Sequence, residues 1–340
     1  MKIIRKLVVF ILMIVASYTF INTSLGNKSD KTEIILAHGQ AGGSEIADTI
    51  EGVARYKDTE KNGLDIKIYP RSSLGNEQET VELVKSGAID MAKISANTLG
   101  QFDRDYNIFS LPYLFKSKDH YYNALKNSQE VKKLFSSTED KGYIAIGYYL
   151  NGSRNFYLVE DKVCDSPEVL SGKKIRSMSN TTAMTTIELM GGSPVPMASS
   201  ETYTSLQQGI VDGAENTELA LTVDAHEDVV KSYTYTEHQY IPDIYIISTK
   251  TWNALSKDQK KTLVNAISNA NDKFVKVYDT MMEEAIEEAK EHGVSVYYNI
   301  DKTEFIESVK PLHEEFLKGN ENGRKLYNDI QNYEVKQWNF

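Results

Sequence analysis

The sequence predicts an α/β protein with two domains, and three observations support this fold class. The chain has 340 residues, which is long enough for two domains of typical size. Strand-like and helix-like segments alternate up to about residue 150, and the alternation begins again at Ser166. A single helix-like segment of unusual length then follows both blocks. Alternation of this kind is typical of largely parallel sheets covered by helices.

The first block contains predicted strands separated by predicted helices. The strands are apolar runs or alternate apolar and polar residues, whereas the helices place apolar residues three or four positions apart. The predicted strands are 32–39, 64–70, 88–95 and 143–150. The predicted helices are 44–61, with Ser44 as the N-cap, and 76–87, which ends at Gly87.

The second block repeats the pattern with shorter elements. Ser166 and Pro167 open a short helical turn, and a strand that carries Arg176 follows. The later elements end with a segment that we interpret as a crossover. They are helix 181–192, strand 194–197, helix 200–209, strand 210–216 and the crossover 240–248.

The longest predicted element is a helix over 257–292, which keeps a helical period without proline or glycine. At ~1.5 Å per residue such a helix reaches about 54 Å. A coiled coil is the alternative, but the apolar spacing lacks sustained heptads. Because this length exceeds a small domain, we expect the helix to run along both domains.

The N-terminus resembles a secretory signal. Lys2, Arg5 and Lys6 precede an apolar run of ten residues, 7–16, which is short for a membrane span. We therefore predict that residues 1–26 form a signal peptide and that the mature protein is exported, with an uncleaved N-terminal anchor as the alternative. The single cysteine, Cys164, excludes an intramolecular disulfide.

Charge and motifs argue against several function classes. The chain has 48 acidic and 38 basic side chains, a formal charge of −10, which does not favour a nucleic-acid partner. Phosphate-binding, dinucleotide-binding, zinc-hydrolase and nucleophile-elbow motifs are missing, and the six histidines lack metal-ligand spacing. We expect no cofactor, no metal and no enzymatic activity.

Polar side chains follow the ends of several predicted strands. His38 ends the first strand and Ser95 the third, Arg154 follows the fourth, and Arg176 and Asn216 lie on strands of the second block. Ligands of open α/β sheets bind beyond the carboxyl ends of the strands. A guanidinium pairs with both oxygens of a carboxylate, so two arginines here indicate a small organic acid as the ligand. A surface salt bridge is the alternative for each arginine.

A series of motifs resembles the solute-binding subunits of tripartite ATP-independent periplasmic (TRAP) transporters, the DctP family. In chain order these motifs are "YPRSSLGNEQETVELVKSGAIDM", "LPYLF", "NGSRNFY", "LSGKKIRSMSN", "GGSPVPM", "ETYTSLQQGIVDGAEN" and "EHQYIPDIYIIS". The resemblance extends from about residue 33 to near the C-terminus. It implies a periplasmic-binding-protein fold with a ligand cleft between two α/β domains and a long helix that bridges them.

The resemblance also implies how the chain divides. Domain I would comprise 32–151 plus 242–281, and domain II would comprise 152–241 plus 282–337. The family performs no chemistry and delivers its ligand to the small and large subunits of a membrane permease. Localisation would be periplasmic.

The resemblance assigns roles to the arginines and the asparagine. The family's ligand carboxylate sits on the arginine that matches Arg176, and the residues that match Arg154 and Asn216 assist. Two departures are Ser199, where the family often has an aromatic residue, and Thr217, where a proline often follows the asparagine.

The motifs most resemble members that bind sugar acids such as hexuronates. Acceptors at Asp243 and Glu77, beside donors at His38 and Asn216, would suit a ligand rich in hydroxyl groups. Sialic acid, a C4-dicarboxylate and a 2-oxo acid stay open as ligands. An exported α/β enzyme that acts on a sugar acid and a sensor module are the alternatives from other functional classes.

Overall fold

A computed structural model of the protein describes residues 31–40 and 45–333. The predicted signal peptide, 1–26, and the predicted N-cap Ser44 lie outside the described residues. So does the end of the segment assigned to domain II, beyond residue 333.

The described residues form eleven β-strands, which divide into two sheets. The first sheet has the order β2-β1-β3-β10-β4, and the second has the order β11-β9-β5-β8-β6-β7. The strands are β1 (Thr32–His38), β2 (Leu64–Tyr69), β3 (Met91–Ser95), β4 (Tyr143–Tyr149), β5 (Ser153–Leu158), β6 (Lys174–Ser177), β7 (Ser193–Pro196), β8 (Gly213–Asn216), β9 (Ser232–Tyr240), β10 (Asp243–Ser248) and β11 (Ser295–Tyr297).

Fourteen α-helices of the described segments cover these sheets. Short 3₁₀ segments occur at Arg104–Ser110, Glu139–Lys141, Ser199–Glu201 and His226–Asp228. The α-helices are α1 (Glu45–Glu51), α2 (Glu77–Ser86), α3 (Ala96–Leu99), α4 (Lys118–Asn127), α5 (Gln129–Ser136), α6 (Pro167–Leu170), α7 (Thr181–Leu189), α8 (Thr202–Gln207), α9 (Leu219–Thr222), α10 (Thr249–Ala254), α11 (Lys257–Glu291), α12 (Thr303–Ser308), α13 (Lys310–Leu317) and α14 (Glu321–Gln331).

The first predicted helix is much shorter than its apolar period indicates. The helix expected over 44–61 ends at Glu51, and turns follow as far as Gly63. Gly52 stands at the break, and glycine inside a helix costs about 1 kcal/mol relative to alanine. Val53 is nevertheless fully buried, so a turn can place an apolar side chain in the core as well as a helix can.

The first sheet is mixed rather than largely parallel. β1 pairs in parallel with β2 and β3, as expected, but β10 runs antiparallel between β3 and β4. β10 arrives directly from the second sheet, where β9 ends at Tyr240. Because only Ile241 and Pro242 separate the two strands, β10 enters the first sheet at the edge where β3 and β4 end.

The long helix α11 packs against both sheets, as predicted. A capping box between Ser256 and Gln259 begins it. Leu263, Ile267 and Phe274 belong to the apolar core beside the first sheet, whereas Ile286 and Ala289, near the other end, belong to a core beside the second sheet. The predicted fold class, an α/β periplasmic-binding-protein fold with two domains and a long bridging helix, is confirmed.

Two short chain links also join the sheets. Residues 150–152 connect β4 to β5, and residues 241–242 connect β9 to β10. Near the C-terminus, α14 returns to the first-sheet side, where Ile330 accepts a hydrogen bond from His120 at 2.9 Å. The domain boundaries inferred from the family resemblance stay a prediction.

Candidate ligand-binding site

Three neighbouring strands of the second sheet carry the predicted arginines and asparagine. β8 lies between β5 and β6, so Arg154 on β5, Asn216 at the end of β8 and Arg176 on β6 lie on adjacent strands. With Glu215 we call these residues the arginine cluster. The segments that supply them are far apart in the chain, and sheet pairing brings them together.

Arg154 is held by its neighbours on β8. Its Nη2 donates to the Glu215 side chain at 2.9 Å and to the Glu215 carbonyl at 2.7 Å, and its Nε donates to the other carboxylate oxygen. Its Nη1 donates to Asn216 Oδ1 at 2.9 Å. Arg154 is therefore already paired with an acid, and its charge is compensated inside the protein.

Glu215 was not among the residues that sequence reasoning selected, nor was His238 behind it. His238 Nε2 lies 3.6 Å from Glu215 Oε2. Burial alone would raise the pKa of Glu215, but Arg154 and His238 outweigh it and hold that pKa at about 2. Burial lowers the pKa of His238, which favours a neutral ring. The sequence signal that could have identified Glu215 was a charged residue within the short strand "GAEN".

Asn216 takes its orientation from two donors. Its Oδ1 accepts from Arg154 and also from the backbone N–H of Thr217, at 2.9 Å. A proline at position 217, frequent in the family that the sequence resembles, has no N–H to offer. Thr217 therefore adds one hydrogen bond to the arrangement, and the Asn216 amide nitrogen stays available as a donor.

Arg176 has a different environment from Arg154. Arg176 is only 4% exposed, yet its one side-chain hydrogen bond among the described residues runs from Nη2 to the Met197 carbonyl, at 3.0 Å. Its buried Nε has no partner in the described part of the chain. Burial lowers the pKa of Arg176, Glu215 opposes that change and Arg154 adds to it. Arg176 is thus a buried cation whose donor groups are largely unused.

A second group lies at the strand ends of the first sheet. Ser95 on β3 pairs with Asp243 on β10, and Lys93 on β3 donates to the Asp243 carboxylate. The Lys93 side chain is 1% exposed. Together with His38 and Glu77, Lys93 and Asp243 form what we call the Lys93 cluster. Sequence reasoning missed Lys93, although a lysine within the apolar strand "AIDMAKIS" was a signal for a buried ion pair.

Glu77 begins α2 and is fixed by two hydrogen bonds. It accepts from the Ser95 backbone N–H at 3.1 Å and from Thr98 Oγ1 at 2.5 Å. Burial of the carboxyl group and the nearby Asp243 raise the pKa of Glu77, against the smaller effects of these hydrogen bonds and of Lys93. No cation pairs directly with Glu77 in the described structure.

His38 lies beside a small cavity. It is 3% exposed, and neither ring nitrogen has a hydrogen-bond partner among the described residues. Burial, followed by the charge of Lys93, lowers the pKa of His38 to about 4, so the ring is neutral at pH 7. With Glu77 and Lys93 it lines a cavity of about 10 Å³, about the space that one water molecule requires.

The seven predicted site residues thus fall into two groups, one on each sheet. Asp243 and Arg154 are close enough to interact electrostatically: burial lowers the pKa of Arg154, while Glu215 and, less strongly, Asp243 raise it. Within the described ranges, no group of three or more His, Cys, Asp or Glu side chains is arranged to hold a metal ion.

The sequence of the chain matches a known protein family over most of its length. The family model for bacterial extracellular solute-binding protein family 7, DctP, matches residues 53–320. The chain belongs to this family. The predicted relationship to TRAP solute-binding subunits is therefore confirmed, and the arginine cluster and the Lys93 cluster belong to a solute-binding protein.

Individual relatives agree with this classification. The uncharacterized protein YiiZ of Salmonella typhimurium is 41% identical over 272 residues, which cover 79% of this chain and 81% of the relative. Among solved structures, a TRAP periplasmic solute-binding protein from Anaerococcus prevotii with bound D-glucuronate is 35% identical. Its TM-score is 0.85, and the match covers 89% of this chain and 98% of that chain.

A further structure is similar over the same region. A TRAP periplasmic solute-binding protein from Sulfitobacter sp. with bound β-D-galacturonate is 29% identical, with a TM-score of 0.83, and the match covers 88% of this chain and all of that chain. None of the helices in the described part of this solute-binding protein combines the length and the hydrophobicity of a membrane-spanning segment.

Proposed function

We propose that this solute-binding protein captures a hexuronate, such as D-glucuronate or D-galacturonate, and that Arg176 binds its carboxylate. One observation carries the proposal: Arg176 is buried, positively charged and short of acceptors. A carboxylate supplies two acceptors in the planar geometry of a guanidinium. The bound hexuronates of two similar structures support the ligand class.

The Lys93 cluster suits the other end of such a ligand. The ring hydroxyls of a hexuronate can donate to the Glu77 and Asp243 carboxylates and can accept from neutral His38. Arg154 and Asn216 would assist at the carboxylate. Because the chain belongs to a family of solute-binding proteins, we propose binding without turnover.

In the cell, the protein would act outside the cytoplasm. We propose that residues 1–26 direct its export, that it works in the periplasm, and that it delivers its ligand to the small and large subunits of a TRAP permease. The family to which the chain belongs supports this role.

A thermal-shift screen tests the ligand class. The purified chain is melted with D-glucuronate, D-galacturonate, N-acetylneuraminate, succinate or 2-oxoglutarate, and with D-glucose and D-galactose as matched neutral sugars. At a ligand concentration 100 times Kd, binding adds ~2.7 kcal/mol to folding stability. A hexuronate should raise Tm while the neutral sugars do not. Equal shifts with D-glucose and D-glucuronate would refute a carboxylate site, and loss of ligand over time by NMR would indicate an enzyme.

A further inference from the structure

The two groups at the site carry opposite charge. The arginine cluster, as defined, contains two guanidinium groups and one carboxylate. Glu215 pairs directly with Arg154, whereas Arg176 has no direct ion pair among the described residues and is influenced by Glu215 and Asp224 only through their charge. The Lys93 cluster contains two carboxylates and one ammonium group, and Lys93 is already paired with Asp243. An elongated ligand that reaches both clusters would therefore have one end in a positively charged environment and the other end in a negatively charged one.

From this arrangement we propose that Glu77 and the Lys93–Asp243 ion pair make the protein selective for monocarboxylates. They would exclude sugar acids with a second carboxylate at the far end, such as aldarates. The proposal rests on the proposed function, because it assumes that Arg176 holds the first carboxylate. The selective residue is Glu77, whose carboxyl group lacks a cationic partner in the described structure.

The Lys93 cluster is built to receive polar groups. Among the described residues neither ring nitrogen of His38 meets a hydrogen-bond partner, although His38 is 3% exposed, and His38, Glu77 and Lys93 line the same cavity. A buried polar atom without a partner is costly, so such atoms often mark a place where a ligand completes the hydrogen bonding. A hydroxyl group can both donate to Glu77 and accept from a His38 N–H, and a carboxylate cannot donate.

Lys93 does not offer an alternative partner for a second carboxylate. Its ammonium group donates to Asp243 and lies 5.2 Å from the centre of the Tyr149 ring. Drawing Lys93 towards a ligand would leave Asp243 buried and unpaired, and the loss of one partner of a buried ion pair is strongly destabilising. A second carboxylate would therefore face Glu77 with no cation available to compensate it, and opposition of like charges lowers affinity.

Acyclic sugar acids isolate the contribution of the second carboxylate. D-Gluconate and D-glucarate share their carbon skeleton and differ at the terminal carbon, which is an alcohol in gluconate and a carboxylate in glucarate. Each is titrated at pH 7.5 in competition with D-glucuronate by calorimetry. We expect gluconate to compete at least tenfold better than glucarate. Competition by glucarate that equals or exceeds that of gluconate would overturn the proposal without any variant.

The variant Glu77→Gln tests the assigned residue, and Glu82→Gln, an exposed position on the same helix, is the matched control. Glu77→Gln should improve the competition by glucarate at least fivefold relative to gluconate, while Glu82→Gln should leave the ratio unchanged. An unchanged ratio in Glu77→Gln refutes the role of Glu77. If gluconate does not displace D-glucuronate from the wild-type protein, the test rests on glucarate alone. Stronger displacement of D-glucuronate by glucarate from Glu77→Gln than from wild type then supports the proposal, and unchanged displacement refutes it.

The screen tests the identity of the ligand separately from the selectivity for monocarboxylates. If no hexuronate binds but another monocarboxylate from the screen does, the hexuronate proposal is wrong. The comparison then uses that acid and its counterpart with a second terminal carboxylate. Equal binding of that pair would refute selectivity for monocarboxylates.

Discussion

Arg154 and Glu215 form a two-point ion pair across the antiparallel strands β5 and β8. Nε and Nη2 of Arg154 donate to different oxygens of the Glu215 carboxylate, and the Glu215 side chain is 3% exposed. A pair with this geometry is among the strong interactions in proteins, but its burial also carries a large desolvation cost. Neither partner is therefore expected to be dispensable on its own.

A double-mutant cycle tests this dependence. Glu215→Gln and Arg154→Met should each lower the free energy of unfolding by roughly 3–5 kcal/mol, because each leaves the other charge buried and unpaired. The double variant should be clearly more stable than the sum of the two losses predicts. Urea unfolding of the four proteins at pH 7 provides the measurement. Additive losses would show that the two side chains act independently.

Arg176 should be the residue on which ligand affinity depends most. Removal of one partner of a buried charged pair costs roughly 2–5 kcal/mol, or about 30-fold to several thousand-fold in Kd. Arg176→Lys should also lose at least tenfold, because an ammonium group lacks the planar two-point geometry. Arg154→Lys should lose less, if Arg154 mainly assists.

Calorimetric titration with the ligand found by the screen provides this comparison, and Arg104→Lys at an exposed position is the control. If Arg176→Lys binds within about threefold of wild type, Arg176 does not anchor the carboxylate. The melting temperature of the ligand-free Arg176 variants should stay near that of wild type, because Arg176 makes few hydrogen bonds.

Glu218 should make stability depend on pH. It is 5% exposed, and one carboxylate oxygen has no partner in the described structure. Burial raises the pKa of Glu218 to about 7. Because the folded protein then retains a proton that the unfolded chain loses near pH 4.5, this residue's contribution to stability falls as pH rises from about 4.5 to 7.

Glu218→Gln removes the free-energy cost of ionising the buried Glu218 carboxyl group. Relative to wild type, the variant should gain roughly 1–3 kcal/mol at pH 8, since one pKa unit corresponds to about 1.4 kcal/mol, and it should gain little at pH 4. Chemical denaturation across this range measures the difference, with Glu283→Gln on an exposed face of α11 as the control. A gain that does not vary with pH would contradict a titrating Glu218.

Gly152, in the link between β4 and β5, has no room for a side chain. A Cβ added there would lie 1.4 Å from Tyr278 Oη and 2.6 Å from Tyr278 Cζ. Gly152→Ala should therefore displace the Tyr278 ring and destabilise the protein by about 1–3 kcal/mol. In the background of Tyr278→Ala the same change should cost little. An equal cost in both backgrounds would place the constraint in the backbone rather than at Tyr278.

Most helices and strands of the fold could be predicted from the sequence. Helix α11, predicted over 257–292, runs from Lys257 to Glu291. Helix α2 ends with Gly87 as its C-cap, as its pattern predicted. β9 was missed because its buried residues include Thr236, His238 and Gln239. Periodicity detects burial only where buried residues are apolar.

Part of the candidate site could be predicted from the sequence. Strand-end position and family resemblance selected Arg154, Arg176 and Asn216, and the structure places them on three adjacent strands. Which charges compensate each other could not be read from the sequence, because Arg154 and Lys93 find their partners far along the chain. Only the folded chain shows that Arg154 has a direct ion pair, whereas Arg176 has none among the described residues.

The position of β10 constrains when the protein can fold during its synthesis. β3 and β4 pair only through β10, which the ribosome makes much later than either. A nascent chain that ends before Asp243 therefore has two strands with unpaired edges, and such edges favour aggregation. The first sheet can therefore be completed only after Ser248 has left the ribosome, when most of the chain has already been synthesised.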